Sequence, residues 1–221
     1  MIGGLTVRPA RPSDVPAVVA MVHELAAFER APEECRLTAE QLDTALFGER
    51  PALFGHVAVD GAGEPVGMAL WFLNFSTWAG VHGIYLEDLY VRPAARGSGA
   101  GRALLVELAR LCVERGYQRL DWWVLHWNPA RDFYGAIGAV PMEEWIPYRL
   151  TGPPLRRLAD LAGDAGGAGT SQRSTAGRPA DHVRRGVDPP AAHRGRRRGP
   201  GPRRRGGVRL AARQPQRRRH D

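Results

Sequence analysis

The feature that most constrains this chain is a glycine turn set between an apolar strand and an apolar helix. Residues 83–91 read as a strand, Arg96-Gly97-Ser98-Gly99-Ala100-Gly101 interrupts the apolar run, and a helix follows with Leu104, Leu105, Leu108, Leu111 and Cys112 on one face. Gly116 ends that helix. A strand that turns through glycines into a helix leaves bare backbone N–H groups at the positive end of the helix dipole, which favours an anion. Glycines also let a pyrophosphate approach the backbone closely. Two phosphate motifs are excluded. The 31 basic residues are all Arg, so a Walker A loop lacks its Lys. Three residues beyond Gly99, where a dinucleotide fingerprint needs Gly or Ala, stands Arg102.

The flanking segments build a sheet around this unit. Leu5-Thr6-Val7 reads as a short strand, and Ser13-Asp14 opens a helical pattern with Val15, Val18, Val19, Val22, Leu25, Ala26 and Phe28 at spacings of three and four. Pro16 falls in the first turn, where it is tolerated. Thr38 and Gln41 form a capping box for a second helix that carries Leu42, Ala45 and Leu46 on one face. Residues 54–59 and 65–75 flank an Asp60-Gly61-Ala62-Gly63 turn and predict a hairpin. After the glycine turn and its helix, residues 119–125 read as a strand, 129–137 as a short helix stopped by Gly138, and 142–150 as a last strand. The order predicts an α/β domain with helices against a mixed, mostly antiparallel sheet.

Composition divides the chain. Residues 1–160 carry fifteen Arg against nineteen Asp and Glu, whereas residues 161–221 carry sixteen Arg against four Asp. The net charge of +8 therefore belongs to the tail. That tail has no Phe, Trp, Tyr, Ile or Met and cannot bury enough apolar surface to offset the entropy of ordering it, so it is expected to be disordered. Three origins stay open: a solvated linker-like tail, a GC-rich gene read out of frame, and a weak, salt-sensitive nucleic-acid-binding segment. The last has no aromatic to stack on a base. No apolar run approaches the roughly 18 residues of a membrane span, and the N-terminus reads as no signal peptide, so a cytoplasmic protein is expected. Cys35 and Cys112 read as free thiols, Cys112 in the core. His82 and His126 lack spaced partners, and no metal site is expected.

The motifs together resemble the diamine (spermidine/spermine) acetyltransferase branch of the GNAT superfamily. The resemblance rests on Tyr85-Leu86-Glu87-Asp88-Leu89-Tyr90-Val91, the Arg-x-x-Gly-x-Gly turn, Trp127-Asn128, Phe133-Tyr134 and Gly138-Ala139, and covers residues 5–160. Phe28-Glu29, Leu37-Thr38, Phe47-Gly48-Glu49 and Trp78 extend it towards the N-terminus. Two departures stand out: the stretch between Trp127-Asn128 and Phe133-Tyr134 is one residue short of the branch's usual spacing, and Arg30 follows Phe28-Glu29.

The resemblance implies the GNAT fold and acetyl-CoA as co-substrate. Arg96, Gly97, Ser98, Gly99, Ala100 and Gly101 would hold its pyrophosphate, Leu89, Tyr90 and Val91 its pantetheine arm, and Asn128 would hydrogen-bond that arm. The acceptor would be a small diamine or polyamine attacking the thioester directly. Alkyl amines titrate near about 10.4 and arrive as cations, so the chemistry needs both a base and an anionic pocket. By the resemblance Glu87 is the base, through water, and Asp88 holds the distal ammonium or supports the strand. Strand alternation predicts that their side chains point to opposite faces. Glu29 and Trp78 complete the acceptor pocket, the Leu89 N–H receives the oxyanion, and Tyr134 protonates the departing thiolate. The alternative acceptors are a thialysine-like or other amino acid, an antibiotic or a protein N-terminus. A bound carboxylate would demand a fixed cation, for which Arg30 is the candidate. A homodimer is implied by the resemblance.

Overall fold

The computed structural model describes residues 4–164, which divide into two compact units between Ile146 and Pro147. The first unit runs β1 (Thr6–Pro9), α1 (Val15–Phe28), α2 (Ala39–Phe47), β2 (Phe54–Val59), β3 (Pro65–Ser76), β4 (Val81–Val91), α3 (Ala100–Arg115), β5 (Leu120–Asp121) and α4 (Ala130–Ala136). The five strands lie in the order β1-β2-β3-β4-β5, antiparallel as far as β4, with β5 parallel to it.

Helices pack on both sides of the sheet, α3 on one and α1 with α2 on the other, because the central strands are apolar on both faces. Ala58, Ala69, Trp71, Ile84 and Leu86 meet Ala100, Leu104, Leu105 and Leu108 of α3. Val57, Val59, Met68, Leu70 and Tyr90 meet Val15, Val18 and Met21 of α1 and Leu42 and Leu46 of α2. Strands covered on both faces read as continuous apolar runs, as β3 does from Met68 to Trp71. Each buried Val, Leu, Ile or Met among them contributes roughly 1.5–3 kcal/mol. Cys112 is buried and both cysteines are free.

The helix starts follow local chemistry. Gln41 N donates to Thr38 Oγ1 at 3.2 Å and Thr38 N to Gln41 Oε1 at 3.0 Å, the reciprocal box expected for α2. Buried Asp14 accepts from Arg8 at 2.6 and 2.9 Å and from Arg11 N at 2.7 Å, tying β1 to the start of α1. α1 ends differently. Glu29 is its C-cap; Arg30 N donates to Ala27 O at 3.1 Å and Ala31 N to Ala26 O at 3.0 Å, a Schellman closure that puts Arg30 at φ 65°, where glycine is usual.

Three expectations are corrected. The strand expected over 119–125 reduces to Leu120–Asp121. Residues 142–150 form no strand: Pro141 and Pro147 each remove a ladder donor, the truncated β5 offers little edge, and Met142, Trp145 and Ile146 are exposed. The second unit contains α5 (Gly152–Asp164), which is not among the elements expected from the sequence; Pro153 and Pro154 sit in its first turn, where proline is tolerated. Leu161–Asp164 of the expected disordered tail close this helix, and the rest of that tail lies outside the described residues.

Candidate active site

β4 pairs with β5 only at Ile84–Leu120 and Tyr85–Asp121. Beyond that point β4 has β3 on one side and, among the described residues, no strand on the other. The exposed edge leads straight into the glycine turn.

A bulge decides which groups face that edge. Trp71 of β3 pairs with Leu86 and Leu70 with Asp88, so Glu87 has no partner. The extra residue shifts the phase of everything after it. Ile84 and Leu86 pack on the α3 side, as do Leu89 and Val91, while Tyr90 packs on the α1 side. Glu87 and Asp88 therefore both fall on the α1 face. The expectation of opposite faces is corrected: alternation holds only while the ladder is regular. The backbone shifts in step. Ile84 N bonds to Arg119 O on the β5 side and Arg92 N to Val66 O on the β3 side, at 3.0 and 2.9 Å. Alternating back from Arg92 turns the Val91 and Leu89 peptide groups to the open edge.

Glu29, at the end of α1, joins the two carboxylates. Burial raises the Asp88 pKa to about 6, helped by the charges of Glu87 and Glu29, and burial raises that of Glu29. Tyr134, on α4, lies tilted against Trp122 with centroids 4.9 Å apart; burial first and then the Glu29 charge push its phenol up. One aromatic and three carboxylates thus share one electrostatic neighbourhood. Beside them the Arg30 guanidinium lies 4.6 Å over the Trp127 ring, and Phe28 sits 6.0 Å from the same ring. Sequence gave Arg30 as a candidate cation but no signal for its left-handed backbone or its stacking, since nothing local announces either.

The turn itself is built as the glycines require. Gly97 and Gly99 have φ of 81° and 89°, and Gly99, the N-cap of α3, offers no side chain to the first-turn N–H groups. Ser98 Oγ reaches Ala100 N at 3.4 Å. A Cβ at Gly97 would meet no atom within 4 Å, so the backbone angle and not packing demands glycine there. Arg96 is spent on the protein: its Nε donates to Val91 O at 3.1 Å and its guanidinium lies over Phe28 and Tyr90 at 5.3 and 5.7 Å. It shapes the turn from behind. Asn128 Oδ1 accepts from Ala130 N at 2.9 Å and so caps the start of α4, leaving its amide N–H groups for other partners. Trp78 departs from its expected place. It stands 96% exposed in the β3–β4 turn, nine residues along the chain from Glu87, and within one chain it is not brought to the carboxylates. No cluster of metal-ligating residues occurs among the described residues.

Residues 19–139 match the model of the acetyltransferase (GNAT) family. The chain is 37% identical over 153 residues to a thialysine N-epsilon-acetyltransferase of Caenorhabditis elegans, spanning 67% of this chain and 93% of that one. It is 29% identical over 163 residues to the spermidine/spermine N(1)-acetyltransferase-like protein 1 of Homo sapiens, spanning 69% of this chain and 23% of that longer protein. Among solved structures, an integron cassette protein from the mobile metagenome of V. cholerae superposes with a TM-score of 0.60 at 27% identity, over 71% of this chain and 98% of that one.

Proposed function

Because the chain belongs to the GNAT family of acetyltransferases, and within it fits the diamine acetyltransferase branch, we propose that it transfers the acetyl group of acetyl-CoA to a primary amine of a small diamine or polyamine. The observation that carries this reading is the bulge at Glu87, which sets Glu87 and Asp88 on one face beside Glu29. Three carboxylates in one partly buried place repel one another unless a cation joins them. A substrate with two ammonium groups meets that need.

The residues present fit an acyl-CoA. The N–H groups of Gly97, Gly99 and Gly101 and the positive end of α3 suit a pyrophosphate, and the open edge of β4 suits an extended amide-bearing arm. In the reaction, Glu87 takes a proton from the bound ammonium through water, and Asp88 and Glu29 hold the distal charge. The freed amine nitrogen forms its bond to the thioester carbon. The Leu89 N–H donates to the oxyanion that forms, at no cost in reorganisation. When the C–S bond breaks, Tyr134 gives its proton to the sulfur, and the proton that the nitrogen sheds on becoming an amide restores the phenol; its raised pKa keeps that phenol protonated throughout the neutral range.

A second reading has its own observation. Arg30 occupies a glycine position at φ 65° and stacks on Trp127, and strain held at a site is a mark of function. A cation fixed there suits the carboxylate of an amino acid, such as the thialysine that the C. elegans relative is named for. The test is thiol release from acetyl-CoA with putrescine, spermidine, spermine, lysine and thialysine, on the native protein and on Arg30→Ala. Turnover of the diamines that survives Arg30→Ala supports the main reading. Turnover confined to thialysine and lysine, and lost in that variant, supports the second. Absence of turnover with all five amines overturns both.

A further inference from the structure

A cavity of about 270 Å³ opens where β1 ends and β2 begins, between the last turn of α2 and the C-terminal half of α3. It shares no residue with the acyl-transfer site. Phe47, Phe54 and Trp71 supply its apolar wall, and Phe54 and Trp71 are stacked with centroids 4.6 Å apart. An apolar cavity of about 150 Å³ is enough for a benzene ring, so this one holds a ring with a short substituent.

Of the charged and polar side chains that line it, His56, Trp71, Arg110 and Arg115 carry donors, and Glu107 is the one carboxylate. His56 is 95% buried by its 5% exposure, and its Nδ1 accepts the Trp71 Nε1–H at 3.1 Å. Trp can only donate, so the neutral imidazole carries its proton on Nε2. That Nε2–H lies 3.9 Å from Glu107 Oε1, too far for a hydrogen bond. Glu107 is engaged elsewhere: Arg110 Nε and Nη2 hold its two oxygens at 2.9 and 2.6 Å, and Arg110 Nη1 also pairs with Glu114. Arg115, exposed at the end of α3, has no carboxylate partner among the described residues. Three carbonyls near the two helix ends accept from within the chain. Gly48 N takes Thr44 O, Gly116 N takes Val113 O and Tyr117 N takes Cys112 O, at 3.0, 3.3 and 2.8 Å.

We propose that this cavity is a second small-molecule site and that it takes a compact aromatic carboxylic acid. The ring lies against Phe47, Phe54 and Trp71, and the carboxylate accepts from His56 Nε2–H and from Arg115. An amine is the weaker partner, because the side chains left unpaired, His56 and Arg115, are donors and the single carboxylate is already shared.

Phenylacetate tests this on the full chain labelled with ¹⁵N, read at the indole N–H signals, with Trp71 identified by its loss in Trp71→Phe. Phenethylamine has the same ring with the opposite charge, and acetate the same charge without the ring. The expected result is a saturable shift of the Trp71 signal with phenylacetate alone, unaffected by added acetyl-CoA and weakened about tenfold or more by Arg115→Ala. Arg115 is exposed, so this variant leaves the core intact. A Trp71 signal that stays still, that shifts equally with phenethylamine or acetate, that ignores Arg115→Ala, or that reverts when acetyl-CoA is added overturns the proposal.

Discussion

Glu87 and Asp88, neighbours in the chain, lie on the same face of β4, because Glu87 is the bulged residue between the Trp71–Leu86 and Leu70–Asp88 pairs. One extra residue in the strand thus turns an alternating pair into a shared anionic surface and turns the Leu89 peptide to the open edge. The two carboxylates still differ in setting, Glu87 exposed and Asp88 partly buried. That difference separates their tasks and can be measured.

Asp88 should make stability depend on pH. Its folded pKa of about 6 lies above the unfolded value of about 3.9, so the folded state holds the proton more tightly. The stability this gives is complete below about pH 4 and is lost as pH rises through about 6. Asp88→Asn removes the loss. Urea unfolding at pH 7.5 should find the variant more stable, by about 1–2 kcal/mol after allowance for solvent screening, with the difference vanishing near pH 4. Parallel profiles for the two proteins would refute the assignment.

Asp14 should act in the opposite sense. The hydrogen bonds from Arg8, and then that from Arg11 N, hold its carboxyl below the ordinary value. The stability it contributes is present above the unfolded pKa of about 3.9 and is lost as pH falls through the lower folded value. Asp14→Ala should cost roughly 2–4 kcal/mol at pH 7, because it leaves the Arg8 charge unpaired in a partly buried place. The cost should shrink towards pH 2 in acid titrations followed by circular dichroism.

Arg30→Gly separates strain from function. A left-handed non-glycine residue costs about 1–2 kcal/mol, and the stacking on Trp127 returns about 0.5–1 kcal/mol. Thermal unfolding of the glycine variant should therefore give equal or higher stability. If Arg30 serves a substrate carboxylate, KM for thialysine should rise about tenfold in the same protein while kcat for diamines holds. A destabilised variant would show that the guanidinium is structural.

Gly97→Ala tests the turn. The φ of 81° makes the substitution cost about 1 kcal/mol, and open space around the new Cβ limits it to that. Calorimetric affinity for acetyl-CoA should fall about tenfold or more, since the methyl group occupies the space a phosphate would use. Unchanged affinity would move the pyrophosphate elsewhere.

These particulars mark where the sequence was legible. Thr38 and Gln41 announced α2 because a capping box is local chemistry, and the order of strands and helices as far as α4 followed from apolar spacing. The glycine turn was legible for the same reason: φ above zero selects glycine. The bulge was not, because period-two reading assumes an unbroken ladder, and whether Glu87 finds a partner is decided on β3. The segment around Trp145 was not legible as irregular, because whether a run of apolar residues pairs as a strand depends on an edge supplied elsewhere; Trp78, placed in the acceptor pocket by resemblance, is exposed in the β3–β4 turn, as Trp145 is exposed in its own segment.

The most direct test of acyl transfer at this site is the steady-state rate of thiol release from acetyl-CoA with spermidine, comparing the native chain with Glu87→Gln and Tyr134→Phe. Transfer by the route described gives turnover in the native chain and a fall in kcat of about a hundredfold or more in Glu87→Gln and about tenfold or more in Tyr134→Phe, with little change in acetyl-CoA affinity. Native turnover that both variants retain would contradict it, and would place the base and the acid on other residues.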